Sequence, residues 1–90
     1  MFYSPAHITK LKAQVPVYLA FQELGFDHIR KPGVYRCPFH EDRAPSLSVR
    51  EQYYNCFSSA CGARGDIFNL VRRVTKCSFP EAVQWVEMLC

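Results

Sequence analysis

The stretch that decides the fold runs from Cys37 to Gly65, CPFHEDRAPSLSVREQYYNCFSSACGARG. Cys37 and His40 form a C-x2-H pair, about fifteen residues intervene, and Cys56 and Cys61 form a C-x4-C pair. Tetrahedral zinc is satisfied by four soft or borderline ligands delivered as two pairs, each pair on a tight turn. The intervening residues are long enough for two short strands, and a hairpin of them sets the second pair beside the first. The reading is one zinc held by Cys37, His40, Cys56 and Cys61. With four protein ligands the site is closed, and the metal is structural rather than catalytic. The alternative is a set of unrelated buried or free cysteines, and it leaves the order and spacing of the four without a reason. His7 and His28 lie outside the stretch and read as ordinary surface or hydrogen-bonded histidines.

Working outward, 90 residues allow one domain, residues 1–90, with no room for a second core. A hydrophobic fraction of 49% and an aromatic fraction of 14% are those of a chain that folds. A core of this size stabilises marginally, so a metal staple fits. Five cysteines is an odd number, and residues 1–12 lack a basic leader followed by an apolar stretch. Metal-bound thiolates in a reducing, cytoplasmic compartment are therefore expected rather than disulfides. No apolar run approaches the roughly 20 residues that span a membrane. Cys77 and Cys90 read as free thiols. The oligomeric state is left open.

The net charge is +3, and its distribution is uneven. Residues 1–29 sum to zero, with Lys10 and Lys12 against Glu23 and Asp27. Residues 30–73 hold eight basic and four acidic side chains, +4, and residues 74–90 hold one basic and two acidic, −1. The positive charge is centred on the zinc unit. Zinc with three thiolates contributes +2 − 3 = −1, which leaves a mild basicity compatible with a polyanion partner.

Helices flank the metal stretch, over about 5–24 and 66–89. Ser4 caps a first helix that begins at Pro5 and ends near Gln14. Val15-Pro16 breaks it. A second helix is expected from Pro16 to Leu24, with Val17, Tyr18, Phe21 and Leu24 on one face and Gly25 as its stop. After a polar turn, Val34–Cys37 reads as a strand that delivers the first ligand. Ser46–Arg50 reads as a second strand, with Leu47 and Val49 inward and Ser46, Ser48 and Arg50 outward. Tyr53–Cys56 is the returning strand, and Gly62–Gly65 a glycine-flanked exit.

Asp66 caps the third helix. Ile67, Leu70, Val71 and Val74 repeat at helical spacing toward the core, and Asn69, Arg72, Arg73 and Lys76 repeat on the opposite face. That polar face is either a solvated surface or a phosphate-contacting stripe. Ser78 and Glu81 form a capping box for the last helix, whose apolar face is Ala82, Trp85, Val86 and Leu89.

The elements Cys37-Pro38-Phe39-His40-Glu41, Ala44-Pro45-Ser46-Leu47-Ser48-Val49, Tyr54-Asn55-Cys56-Phe57 and Cys61-Gly62-Ala63-Arg64-Gly65-Asp66, with Ser78-Phe79-Pro80-Glu81-Ala82-Val83, resemble the N-terminal zinc-binding domain of DnaG-type bacterial and phage DNA primases. The likeness covers roughly residues 15–90. It implies an α+β fold, a small zinc ribbon whose antiparallel sheet is flanked by N- and C-terminal helices. It implies contact with single-stranded template DNA in primer initiation, with polymerisation chemistry in a separate catalytic domain. This chain has no such domain, so it is not expected to be an enzyme on its own. It departs from the family pattern in the second knuckle, where Phe57-Ser58-Ser59-Ala60 are four spacer residues in place of the usual two.

Single strands are held by charges that track the backbone and by aromatic faces on which bases stack. The candidates are Arg36, Arg43, Arg50, Tyr53 and Arg64 on or beside the hairpin, and Arg72, Arg73 and Lys76 on the third helix. Alternation turns only one of Tyr53 and Tyr54 outward. Tyr53 is chosen, because Tyr54 shares its face with Cys56. The alternative function is a protein-interaction module that docks on a replicative helicase or a catalytic primase or polymerase subunit. A duplex-reading regulator ranks lower, because no recognition helix stands out.

Overall fold

The computed structural model describes residues 4–41, 44–59 and 61–90. Helix α1 (Pro5–Gln14) starts where Ser4 Oγ accepts the His7 amide proton and Pro5 occupies the first turn. Its C-cap, Val15, is extended, as the residue before Pro16 should be. Helix α2 is Val17–Glu23; Pro16 and Leu24 are its caps rather than its first and last residues. Val17, Ala20 and Phe21 are fully buried.

Four short strands follow, β1 (Gly33–Tyr35), β2 (Leu47–Val49), β3 (Tyr54–Cys56) and β4 (Arg64–Gly65). They form one antiparallel sheet in the order β1-β2-β3-β4. Two expectations need correction here. Strand β1 stops at Tyr35, so Cys37 sits on a turn beyond the sheet, where its side chain is free of the strand's two-residue alternation. The segment read as an exit contains β4. It pairs with β3 through Tyr54↔Gly65 and Asn55↔Arg64. A strand of two residues carries no periodicity, and its partner supplies the hydrogen bonds that define it.

The pairings give the sheet two distinct faces. Residues directly opposite in antiparallel strands share a face. Val49 and Tyr54 pair, as do Leu47 and Cys56, and all four are buried. The other face carries one row across all four strands: Val34, Ser48, Asn55 and Arg64. Ser48 belongs to this row, as its alternation required, yet it is only 5% exposed.

Helix α3 (Ile67–Thr75) begins with a reciprocal cap. Asp66 Oδ1 accepts the Asn69 amide proton at 2.9 Å, and Asn69 Oδ1 accepts that of Asp66 at 3.2 Å. Gly65 makes this possible: a Cβ there would lie 2.5 Å from Asn69 Cβ. Lys12 Nζ, 3.0 Å from Asp66 Oδ2, ties α1 to the same point. Ile67, Leu70 and Val71 are buried as their spacing requires, and so is Phe68. Helix α3 is covered on two sides, by α2 and the sheet on one and by α4 (Phe79–Glu87) on the other. Phe68 faces the second side, with its ring centroid 5.5 Å from that of Phe79. The same double coverage buries Val83 beside Ala82 and Val86, while Trp85 is half-buried. The Ser78–Glu81 capping box is formed in both directions. The result is a small α+β domain. Among the described residues no helix is long and apolar enough to cross a membrane.

Candidate metal centre and basic surface

Cys37 and His40 lie on the turn after β1, Cys56 closes β3, and Cys61 lies on the turn between β3 and β4. The second turn is built by the Ser58 carbonyl, which accepts the amide protons of Cys61 (3.2 Å) and Gly62 (3.0 Å). Gly62 has φ +64°, a left-handed conformation that glycine adopts without penalty. These bonds to Ser58 hold Cys61 on the same side of the sheet end as Cys56.

The four ligand atoms all lie within 4.8 Å of one another. Cys37 Sγ is 3.9 Å from Cys61 Sγ, and Cys56 Sγ is 4.0 Å from His40 Nδ1. A zinc ion with Zn–S bonds of about 2.3 Å in tetrahedral geometry requires sulfurs about 3.8 Å apart, so the donor set matches in kind and in spacing. Burial pushes the Cys37 thiol up to about 12, so without metal it stays protonated at neutral pH. Burial also raises Cys56, but hydrogen bonds from the Ser46 hydroxyl (3.5 Å) and the Ser58 backbone, and from the neighbouring thiols, outweigh it and bring the group down. Bound zinc replaces the thiol protons and crosslinks the two turns.

Behind the metal centre stands an aromatic core. Phe39, between the ligands Cys37 and His40, packs on Phe21 (6.4 Å), Phe26 (6.3 Å) and Tyr54 (6.1 Å). Tyr54 meets Phe21 edge-on at 5.7 Å. Tyr54 is 1% exposed and Tyr53 53%, so strand alternation turned the two tyrosines as expected. The Tyr54 phenol is raised by burial, with Arg73 pulling it partly back, and it stays neutral.

The remaining candidates divide. Arg64, Arg72, Arg73 and Lys76 line one concavity of about 500 Å³ together with Asn69 and Cys77. Tyr53, Asn55 and Arg64 line a neighbouring concavity of about 470 Å³ with Gly65 and Tyr54. Arg64 borders both. Arg36 lies just past β1, the edge strand furthest from β4, and Arg50 lies at the β2–β3 turn; both are exposed, and neither lines these concavities. Arg43 falls outside the described residues. Three of the polar groups have structural duties that the helical pattern did not reveal: Asn69 completes the α3 cap, Arg72 Nε donates to the Cys77 carbonyl at 3.4 Å, and Arg73 is bonded to Tyr54. Asn55 was absent from the sequence candidates. Its one signal was an asparagine at the centre of a strand, where the residue is disfavoured.

The chain belongs to the CHC2 zinc finger family, the DnaG zinc ribbon, whose model matches residues 6–89. It is 48% identical over 55 residues to a DNA primase of Enterococcus faecalis, covering 59% of this chain and 8% of that protein. It is 34% identical over 85 residues to a DNA primase of Synechocystis, covering 86% of this chain and 12% of that protein. The Gene 58 protein of Mycobacterium phage D29 is 46% identical over 55 residues, 59% of this chain and 41% of its own length. The chain therefore corresponds to the zinc-binding region of primases and spans a small fraction of their length. Its cofactor is one structural zinc, for which Cys37, His40, Cys56 and Cys61 are positioned.

Proposed function

We propose that residues 1–90 form a zinc-stabilised, primase-type domain that contacts single-stranded template DNA during primer initiation in the cytoplasm. The polymerisation chemistry belongs to a catalytic domain outside this sequence. The observation that carries the reading is the position of Arg64 between an aromatic concavity and one lined by three further cations. Among the described residues none of Arg64, Arg72, Arg73 and Lys76 is ion-paired. A single strand needs such a pairing of stacking surface and phosphate-tracking charge. Helix α3 ends at this surface, and the carbonyl end of a helix favours cations, which supports part of the clustering without any ligand. It does not account for Arg64, which comes from the sheet.

The test is fluorescence anisotropy of the zinc-loaded chain with labelled single-stranded and duplex DNA across a salt series. Preference for the single strand, weakening steeply with salt, is expected. Absence of binding at low salt removes the proposal.

A second reading, docking on a helicase or on a catalytic primase or polymerase subunit, is favoured by a different place. Trp85, Met88 and Leu89 with Glu23 line a concavity of about 280 Å³, and Met88 is 84% exposed. Arg72→Glu with Lys76→Glu separates the two: it abolishes strand binding under the first and spares partner binding under the second.

A further inference from the structure

The Val34–Ser48–Asn55–Arg64 row places an amide and a guanidinium side by side on the open sheet face. Tyr53, the residue just before β3, lines the same concavity as Asn55 and Arg64 and is 53% exposed. Asn55 is half-buried, and among the described residues nothing is hydrogen-bonded to its side chain. Asparagine is disfavoured in strands, where a β-branched residue would pack better. Neither pairing nor packing explains it, so its amide is available to a ligand.

From this geometry we infer that the 470 Å³ concavity is a nucleobase pocket in which Tyr53 stacks one unpaired base and Asn55 reads its edge. The inference rests on the single-strand reading above and deepens it. The concavity has the volume of a small-ligand site. One wall is an aromatic face. One polar group offers a donor beside an acceptor, the pattern with which asparagine pairs bidentately to a base. Arg64 then stands where the base joins its phosphate, and Arg72 and Lys76 receive the phosphates that follow. Tyr53 sets affinity for any base, since every base has a stacking face. Asn55 sets which base is preferred.

The experiment uses the zinc-loaded chain with labelled short dA, dC and dT homopolymers at one fixed salt, followed by a salt series. The unaltered protein prefers one homopolymer by about fivefold to a hundredfold. Asn55→Ala brings the three affinities to within about twofold and leaves the salt slope unchanged. Asn55→Thr, better suited to a strand, does the same and guards against loss of fold. Tyr53→Ala weakens all three by a similar factor and keeps their order. A preference that survives both Asn55 substitutions overturns the inference, as does tight binding with no preference in the unaltered protein. Absence of any binding overturns instead the single-strand reading on which it rests.

Discussion

Arg73 Nε donates a hydrogen bond of 3.3 Å to the hydroxyl of buried Tyr54. The same guanidinium lies 5.4 Å above the ring of Phe39. Phe39 stands between two zinc ligands, and Tyr54 is two residues before a third. One side chain thus fastens α3 to both halves of the metal centre. Tyr54→Phe removes the acceptor and keeps every charge. It should cost about 1 kcal/mol and lower the Tm of the zinc-loaded protein by roughly 4–8 °C. Arg73→Lys keeps the charge but not the planar fork, and should fall in the same range. Thermal unfolding unchanged in both would show that the contact contributes nothing.

Zinc removal should unfold the sheet. Structural zinc contributes roughly 10–16 kcal/mol of apparent binding, at or above the whole stability of a small domain. Because Phe39 and Tyr54 pack on Phe21, loss of the ribbon strips the cover from α2 as well, leaving at most loose helices. Circular dichroism with a chelator titration follows this. Cys56→Ser should lose tight zinc binding; a variant that keeps one tightly held zinc and a native spectrum would refute the ligand set.

Zinc affinity should rise with pH. Without metal Cys37 holds its proton up to about pH 12, so binding releases at least this one proton throughout the neutral range. Each proton released makes affinity rise about tenfold per pH unit. Competition with a chromophoric chelator from mildly acidic to mildly alkaline pH measures the slope. A flat profile would mean that Cys37 is already a thiolate before zinc arrives.

Gly65→Ala should damage the start of α3. The added methyl meets Asn69 Cβ at 2.5 Å and displaces the reciprocal cap with Asp66. The overpacking and the lost cap together cost about 2–4 kcal/mol. Chemical denaturation reads this directly. A loss under about 1 kcal/mol would show that α3 shifts without penalty.

Lys76→Gly should separate stability from binding. Lys76 caps α3 with φ +62°, a conformation that costs a non-glycine residue about 1 kcal/mol. Glycine relieves it, so Tm should rise by a few degrees. The same change removes one cation from the basic concavity, so single-strand affinity should fall and the salt slope should lessen by about 0.7. A fall in both quantities would place Lys76 among the residues that hold the fold.

Much of this was legible in the sequence. The ligand set could be read because metal chemistry restricts the residue types and the turns restrict their spacing. The helix starts could be read because Ser4, Asp66 and Ser78 satisfy backbone donors within three residues of themselves. Tyr53 and Tyr54 could be told apart because alternation acts on adjacent residues. Burial of Phe68 and Val83 was not legible, because helical periodicity describes one covered face and these helices are covered on two.

The sequence by itself determined the zinc ribbon, its four ligands, its capped helices and a positive charge centred on the metal unit. Each of these depends on residues close together in the chain, where bond geometry and hydrogen-bond reach limit the outcomes. Only the tertiary structure decided which basic residues act together. It joined Arg64 to Arg72, Arg73 and Lys76, set Asn55 beside Tyr53 and Arg64, left Arg36 beyond the far edge strand, and bound Arg73 to Tyr54. Those relations arise from strand pairing and helix packing between distant segments. Long polar side chains carry no periodic signal of their neighbours, so the surface is assembled only when the core beneath it is.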